Sequence, residues 1–185
     1  MTRVVTQSDS TIIVDTLMQP GGVVVLRTDT LYGIVARADD EAAVENVYRI
    51  KRRNQSKSCI VLLASPNDAY DNQQDLSNLT LSQAVPTSFL LTAQNAPSWL
   101  CRQNDELAYR VPALIWLRDI LQQTGPLIAP SANPESLPPA MNIAEAQQYF
   151  GDDVSLYVDG GSVLESTPPS RLVRVHPDGG IERLR

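Results

Sequence analysis

Short runs of branched apolar residues alternate along the chain with amphipathic stretches. Residues 10–18 carry Ile13, Val14 and Leu17 at helical spacing, with Ser8 to Ser10 offering N-caps and Gly21-Gly22 closing the segment. Val23-Val24-Val25-Leu26 follows as a β-branched run suited to a strand buried on both faces. Asp40 can cap a second helix reaching Arg52, in which Val44, Val47, Tyr48 and Lys51 fall three or four apart. A strand over residues 58–63 precedes a polar stretch, 65–82, that reads as loop and helix. Further strands are expected at 89–91, 107–111, 127–129, 156–158, 172–175 and 181–184. Leu114, Leu117, Ile120 and Leu121 form one apolar stripe closed by Gly125, and Asn142 with Glu145 resembles a capping box for a helix over 143–150, closed by Gly151. About eight strands with three or four helices predict an α/β domain on a mixed sheet. No internal repeat, low-complexity tract or linker divides the chain, so residues 1–185 are expected to form a single domain.

Composition narrows this picture. With 185 residues the chain can bury roughly 70% of its unfolded surface, and 43% hydrophobic with 19% charged residues excludes a disordered tail, a collagen-like fibre or a disulfide-dense miniprotein. The charge is uneven: only Lys51 and Lys57 are lysines, and five of the fifteen basic residues fall between Arg49 and Lys57 in a chain of net charge −6. No Lys or Arg occurs between Lys57 and Arg102 or between Arg118 and Arg171. Such a distribution argues against stable RNA binding, which needs many phosphate contacts from a net basic face. Cys59 and Cys101 show no CxxC spacing, and His176 is the single histidine, so a catalytic triad or a multi-histidine metal site is excluded. No apolar run approaches the roughly eighteen residues of a membrane span, and a soluble intracellular protein is expected.

Four segments carry candidate chemistry. Arg27-Thr28-Asp29-Thr30-Leu31-Tyr32-Gly33 places hydroxyls and a carboxylate at a strand end, where they can orient a small polar ligand or simply build a turn. Lys51-Arg52-Arg53 with Lys57 suits phosphates, although cations in a last helical turn also complement the helix dipole. Pro130-Ser131-Ala132-Asn133-Pro134 can bind a nucleotide or serve as a proline-bracketed turn, and the glycines of Asp159-Gly160-Gly161 permit close backbone approach. Neither GxxxxGK[ST] nor GxGxxG is present, so a bound nucleotide is held by another route.

Taken in order, these segments resemble the YrdC/TsaC-like threonylcarbamoyl-AMP synthases. The likeness runs from Gly21-Gly22 through Thr28-Asp29-Thr30-Leu31-Tyr32-Gly33, Arg49-Ile50-Lys51-Arg52-Arg53, Ala108-Tyr109-Arg110-Val111-Pro112, Pro130-Ser131-Ala132-Asn133 and Asp159-Gly160-Gly161 to Arg183. It implies a twisted mixed sheet with flanking helices around a concave basic pocket, in a cytoplasmic enzyme of the single-domain type. It also implies that L-threonine, bicarbonate and ATP become L-threonylcarbamoyl-AMP and pyrophosphate, with Mg2+ on the phosphates, and that the product passes to tRNA threonylcarbamoyl-transfer proteins for modification of adenosine 37. On this resemblance Lys51 and Arg53 are catalytic and bind ATP together with Ser88, Ser131, Asn133 and Arg183, while Thr28, Arg110 and Ser170 bind threonine.

A carbamate is already an anionic nucleophile, so such a protein must supply position and positive charge rather than a serine or histidine. No carboxylate cluster marks a dedicated metal site. Three positions depart from the family pattern: Ala84-Val85 before Pro86, Glu135-Ser136 after the Ser131 turn, and Arg171 after Ser170. Glu135 would place a carboxylate near a nucleotide, and Arg171 could grip an anion or obstruct threonine. The alternatives are a divergent member acting on another small molecule and a non-catalytic module that binds double-stranded RNA or tRNA.

Overall fold

The computed structural model describes residues 2–71, 76, 85–176 and 178–185. Its strands are β1 (Val4–Thr6), β2 (Val24–Arg27), β3 (Tyr32–Arg37), β4 (Val61–Leu62), β5 (Thr87–Thr92), β6 (Glu106–Arg110), β7 (Leu127–Ile128), β8 (Leu156–Asp159), β9 (Arg171–Val175) and β10 (Ile181–Arg183). Between them lie α1 (Ser10–Met18), α2 (Glu41–Lys51), the short α3 (Ser98–Cys101), α4 (Ile115–Thr124) and α5 (Ile143–Phe150). The expected 65–82 stretch begins with a 3-10 turn at Pro66–Asp68 and continues mostly outside the described residues, as does Ala84.

Local chemistry explains the helix ends. Asp40 accepts from the Ala43 N–H at 3.0 Å and from Gly21 N–H at 2.8 Å, which starts α2 and ties its entry to the turn before β2. The Asn142 side chain accepts from Glu145 N–H at 2.9 Å while Glu145 reaches back to Met141 N–H at 2.9 Å, a reciprocal cap on α5.

One mixed sheet carries all ten strands in the order β1-β8-β2-β3-β7-β4-β6-β5-β9-β10. Period-two alternation sorts its side chains into two cores. Val25, Ile34, Ala36, Val61 and Phe89 face α2 and α5, and Val24, Leu26, Val35, Leu62 and Leu127 face α1 and α4. Burial on both faces is why the central strands read as continuous apolar runs. Because α1 packs on α4 and against β2, β3 and β8, the same face remains open over β5, β6 and β9. That uncovered sheet surface is the floor of the cavity described next.

Two strands escaped the sequence reading. β1 has three residues between polar neighbours, and β3 begins at Tyr32, inside the segment read as a loop. The Thr28 to Leu31 turn is tighter than that reading assumed: Thr28 N–H donates to Leu31 O at 3.0 Å, so β2 and β3 form a hairpin paired from Arg27↔Tyr32 to Val24↔Val35.

Candidate active site

A cavity of about 900 Å3 opens on the β5, β6 and β9 floor, within the usual size range for small-molecule sites. Its apolar base comes from Leu90, Ala108 and Leu172, and its walls from four backbone segments. These are the Thr28 turn, the loop after α2, the loop after β7 and the C-terminal segments around Ser170 and Arg185.

The Thr28 turn is closed by its own hydroxyls. Thr28 Oγ1 donates to Leu31 O at 2.8 Å and stands 3.1 Å from Thr30 Oγ1, and both threonines line the cavity. Next to it Arg110, at the end of β6, is 4% exposed. Its Nη2 lies 3.1 Å from Asp29 Oδ1, and its Nε has no hydrogen-bond acceptor among the described residues. Burial lowers the pKa of Arg110, with Asp29 opposing that shift and Arg185 adding to it. A buried guanidinium with an N–H to spare, beside a cavity, is a receptor for a carboxylate or phosphate.

After α2, Arg52 adopts the left-handed conformation (φ 52°) and turns the chain, which sends Lys51 and Arg53 in different directions. Arg53 lines the cavity, with Nη2 donating to Ser58 O at 2.8 Å and Nε to Lys57 O at 3.2 Å. Tyr48 OH donates to the same Lys57 carbonyl at 2.8 Å, so helix and loop hold one another. Lys51 does not line the cavity. It is 2% exposed, and its ammonium donates to the carbonyls of Ser131 and Asn133. Burial first, then the charge of Arg53, pushes its pKa down to about 8.

The loop after β7 is therefore clasped from beneath. Ser131 lines the cavity and donates from Oγ to Asn133 Oδ1 at 2.6 Å, while the Asn133 amide donates to Leu137 O at 2.6 Å, shaping the loop. Asn133 itself is not part of the cavity wall. Glu135 meets Lys57 Nζ at 2.7 Å and accepts from Asn54 N–H at 2.5 Å, and these contacts hold its pKa below the usual carboxylate range. The carboxylate expected to repel a nucleotide thus serves as the tie between the two loops.

On the C-terminal wall Ser170 lines the cavity and its Oγ lies 3.0 Å from Ser88 Oγ, which is buried behind it. Arg171 points away: alternation along β9 aims Ser170, Leu172 and Arg174 at the cavity and leaves Arg171 exposed. Arg183 is likewise exposed on β10, and Arg185 reaches the cavity, its Nε donating to Ser170 O at 3.1 Å. Leu184 and Arg185 N–H both donate to Leu172 O, at 2.8 and 3.2 Å, the pattern of a β-bulge. The extra residue reverses the facing of Arg185 relative to Arg183.

Of the residues expected from the sequence, Thr28, Arg53, Arg110, Ser131 and Ser170 come together on the cavity wall, with Lys51, Ser88 and Asn133 immediately behind it. Sequence reasoning missed Glu106, Arg174 and Arg185 as wall residues, whereas Lys57, read with the Lys51 to Arg53 patch as suited to phosphates, does line the cavity. The turn at residues 159–161 lies behind Tyr32, whose OH donates to Gly161 O at 2.8 Å. A Cβ on Gly160 would come within 2.8 Å of Arg27 and 2.7 Å of Gln7, so the close approach it permits is to protein. Among the described residues no group of three or more His, Cys, Asp or Glu could hold a metal ion.

Residues 16–185 match the Sua5_yciO_yrdC family model, described as telomere recombination. A threonylcarbamoyl-AMP synthase of Pseudoalteromonas atlantica is 30% identical over 165 residues, covering 84% of this chain and 87% of that protein. The structure of P. abyssi Sua5 complexed with L-threonine superposes over 100% of this chain with a TM-score of 0.87 at 22% identity, and this chain spans 57% of its length. E. coli YciO superposes over 100% of this chain and 95% of its own with a TM-score of 0.81 at 19% identity.

Proposed function

The chain belongs to the Sua5/YciO/YrdC family, and on that footing we propose that it is a threonylcarbamoyl-AMP synthase, converting L-threonine, bicarbonate and ATP to L-threonylcarbamoyl-AMP and pyrophosphate. The observation that carries this reading is the wall itself, which brings Arg53, Lys57, Arg110, Arg174 and Arg185 to one cavity without any histidine or cysteine.

The chemistry asks for little else. Threonine's amine and bicarbonate give a carbamate with loss of water. A carbamate oxygen attacks the α-phosphorus of ATP, and the bond to the β-phosphate oxygen breaks to release pyrophosphate. Arg110, fixed by Asp29 and backed by the Thr28 turn and Ser170, holds the threonine carboxylate. Arg53, Lys57 and Arg185 face the phosphates, where preorganised charge lowers the barrier most. Lys51 acts from behind as a positioning residue, holding the carbonyls of Ser131 and Asn133 and with them the nucleotide wall. Ser88 fixes the Ser170 hydroxyl.

Magnesium, where the reaction uses it, arrives on the ATP phosphates. The residues present do not fit a resident cation site, since among the described residues lining the cavity Glu106 is the one side-chain carboxylate and is tied to Arg174. Among the described residues no helix is long and apolar enough to cross a membrane. The proposed setting is the cytoplasm, where the product goes to the proteins that transfer the threonylcarbamoyl group to tRNA.

The test is pyrophosphate release across a panel of amino acids. Release with threonine and bicarbonate together, and not with either alone, supports the reading. Equal release with an unrelated amino acid assigns the protein to a divergent activity.

A further inference from the structure

Among the described residues, the non-glycine positions with left-handed backbone are Arg52, Arg102, Gln103 and Ser136, and all four bear on the loop after α2. Arg52 opens that loop, and Ser136 follows Glu135, which is tied to it through Lys57. Arg102 (φ 51°) and Gln103 (φ 69°) turn the chain from α3 into β6. Glycine is the residue this backbone favours, so an arginine persists there only where its side-chain contacts offset the strain.

The contacts of Arg102 lie outside the cavity wall. Its side chain is 10% exposed, and its Cζ stands 3.8 Å from the centroid of the Tyr48 ring. Its Nη1 lies 2.6 Å from Glu45 Oε1 and 3.0 Å from Gln55 Oε1. Nε and Nη2 are buried without an acceptor among the described residues, which leaves the electron-rich face of Tyr48 as their partner. Glu45 and Tyr48 are neighbours one turn apart on α2, so a single guanidinium joins that helix face to Gln55 in the loop that follows it.

Tyr48 passes this grip to the cavity. Its OH and Arg53 Nε donate to the same Lys57 carbonyl, and Arg53 Cζ stands 5.9 Å from the ring centroid. Asn104, in the same turn as Arg102, adds a second strap, its Nδ2 donating to Ser56 O at 2.9 Å. A tilt of the Tyr48 ring would therefore move the Lys57 carbonyl and the Arg53 guanidinium together, at a wall where small displacements govern function.

We propose that Arg102 is a positioning residue for the phosphate side of the cavity: without touching substrate, it fixes the Tyr48 ring and so holds the Arg53 guanidinium in place for the phosphates of the nucleotide. This rests on the synthase reading for the identity of the nucleotide and adds the residue that sets the phosphate wall from behind.

The experiment measures equilibrium dissociation constants for ATP and, separately, for threonine. Glycine suits the left-handed backbone, so Arg102→Gly removes the guanidinium without straining the turn, while Arg102→Lys keeps the charge and loses the flat stack. Both variants are expected to weaken ATP by about tenfold, the cost of a misplaced contact group. Threonine affinity should stay within about twofold, since Arg110 is held by Asp29 and not by this clamp. Arg102→Gly made in an Arg53→Ala background should weaken ATP by no more than about a further twofold, because the two residues act as one unit. A full tenfold loss in that background, native ATP affinity in Arg102→Lys, or equal weakening of threonine overturns the proposal. Pyrophosphate release by the wild type with threonine and bicarbonate is read on its own. The expected ATP pattern without that release counts against the synthase reading and leaves the role of Arg102 standing, whereas no ATP binding by the wild type overturns both.

Discussion

At Lys51 an ammonium is buried among carbonyl oxygens at the end of α2, and desolvation brings its pKa down to about 8. Between about pH 8 and the ordinary lysine value of 10.5 the unfolded chain holds a proton that the folded chain has released. This group therefore makes stability rise with pH across that window, and below pH 8 the folded state carries the whole cost of the buried charge. With only two lysines in the chain, a lysine-selective 13Cε NMR titration can follow it directly, and the Lys51 resonance should move with a midpoint near 8. A midpoint above 10 would contradict the burial described. Lys51→Ala is expected to lower the rate of pyrophosphate release by roughly a hundredfold through displacement of the Ser131 wall, because a misplacement of about 1 Å in a positioning segment costs that much. Arg110 behaves differently because its role depends on the shape of the fork. Arg110→Lys should raise the KM for threonine by at least about tenfold despite the retained charge, and a near-native KM would remove Arg110 from the carboxylate site.

Among the elements, the C-terminal strand separates what the sequence could disclose from what it could not. The family resemblance pointed to Arg183 for nucleotide binding, yet a bulge against Leu172 turns Arg185 inward and leaves Arg183 outside. A bulge is set by which N–H meets which carbonyl across strands, and no residue type in Ile181 to Arg185 marks it. Arg185→Ala should raise the KM for ATP about tenfold, equivalent to roughly 1.4 kcal/mol for one lost charged contact. Arg183→Ala should leave it near the wild-type value, and the reverse result would reinstate the unbulged register. Strand β3 was hidden for a related reason, since Thr28 to Gly33 carries turn-forming residues and only the Thr28-to-Leu31 backbone bond shows where the turn stops. Helix α5 was legible because its Asn142 cap and apolar spacing are local signals, and α1 through its apolar spacing alone, since Asp9 at its N-terminus makes no side-chain capping bond. The Glu135 tie between the two loops could not be foreseen, because it joins residues far apart in sequence. Glu135→Ala should loosen both loops and raise the KM for ATP several-fold, with faster hydrogen exchange at the Asn54 amide as its direct sign.

Across the whole molecule, a net charge of −6 coexists with five cations on one cavity wall. Field lines from those cations are confined to a concave surface, while the exterior repels extended polyanions. Small multivalent anions should therefore compete with ATP, and inorganic pyrophosphate should inhibit by occupying the Arg53, Lys57 and Arg185 wall. A short RNA duplex at about 0.15 M salt should leave ATP affinity unchanged, and displacement of ATP by RNA would favour a nucleic-acid-binding module instead. The central claim joins threonine, bicarbonate and ATP in a single product, and the most direct measurement follows the carbon. Purified protein is incubated with 13C-bicarbonate, threonine and ATP, and the adenylate formed is read by mass spectrometry and 13C NMR. The account predicts a threonine-dependent adenylate carrying one 13C carbonyl, formed in step with pyrophosphate. Adenylate lacking the label, or no adenylate while ATP is bound, would contradict it.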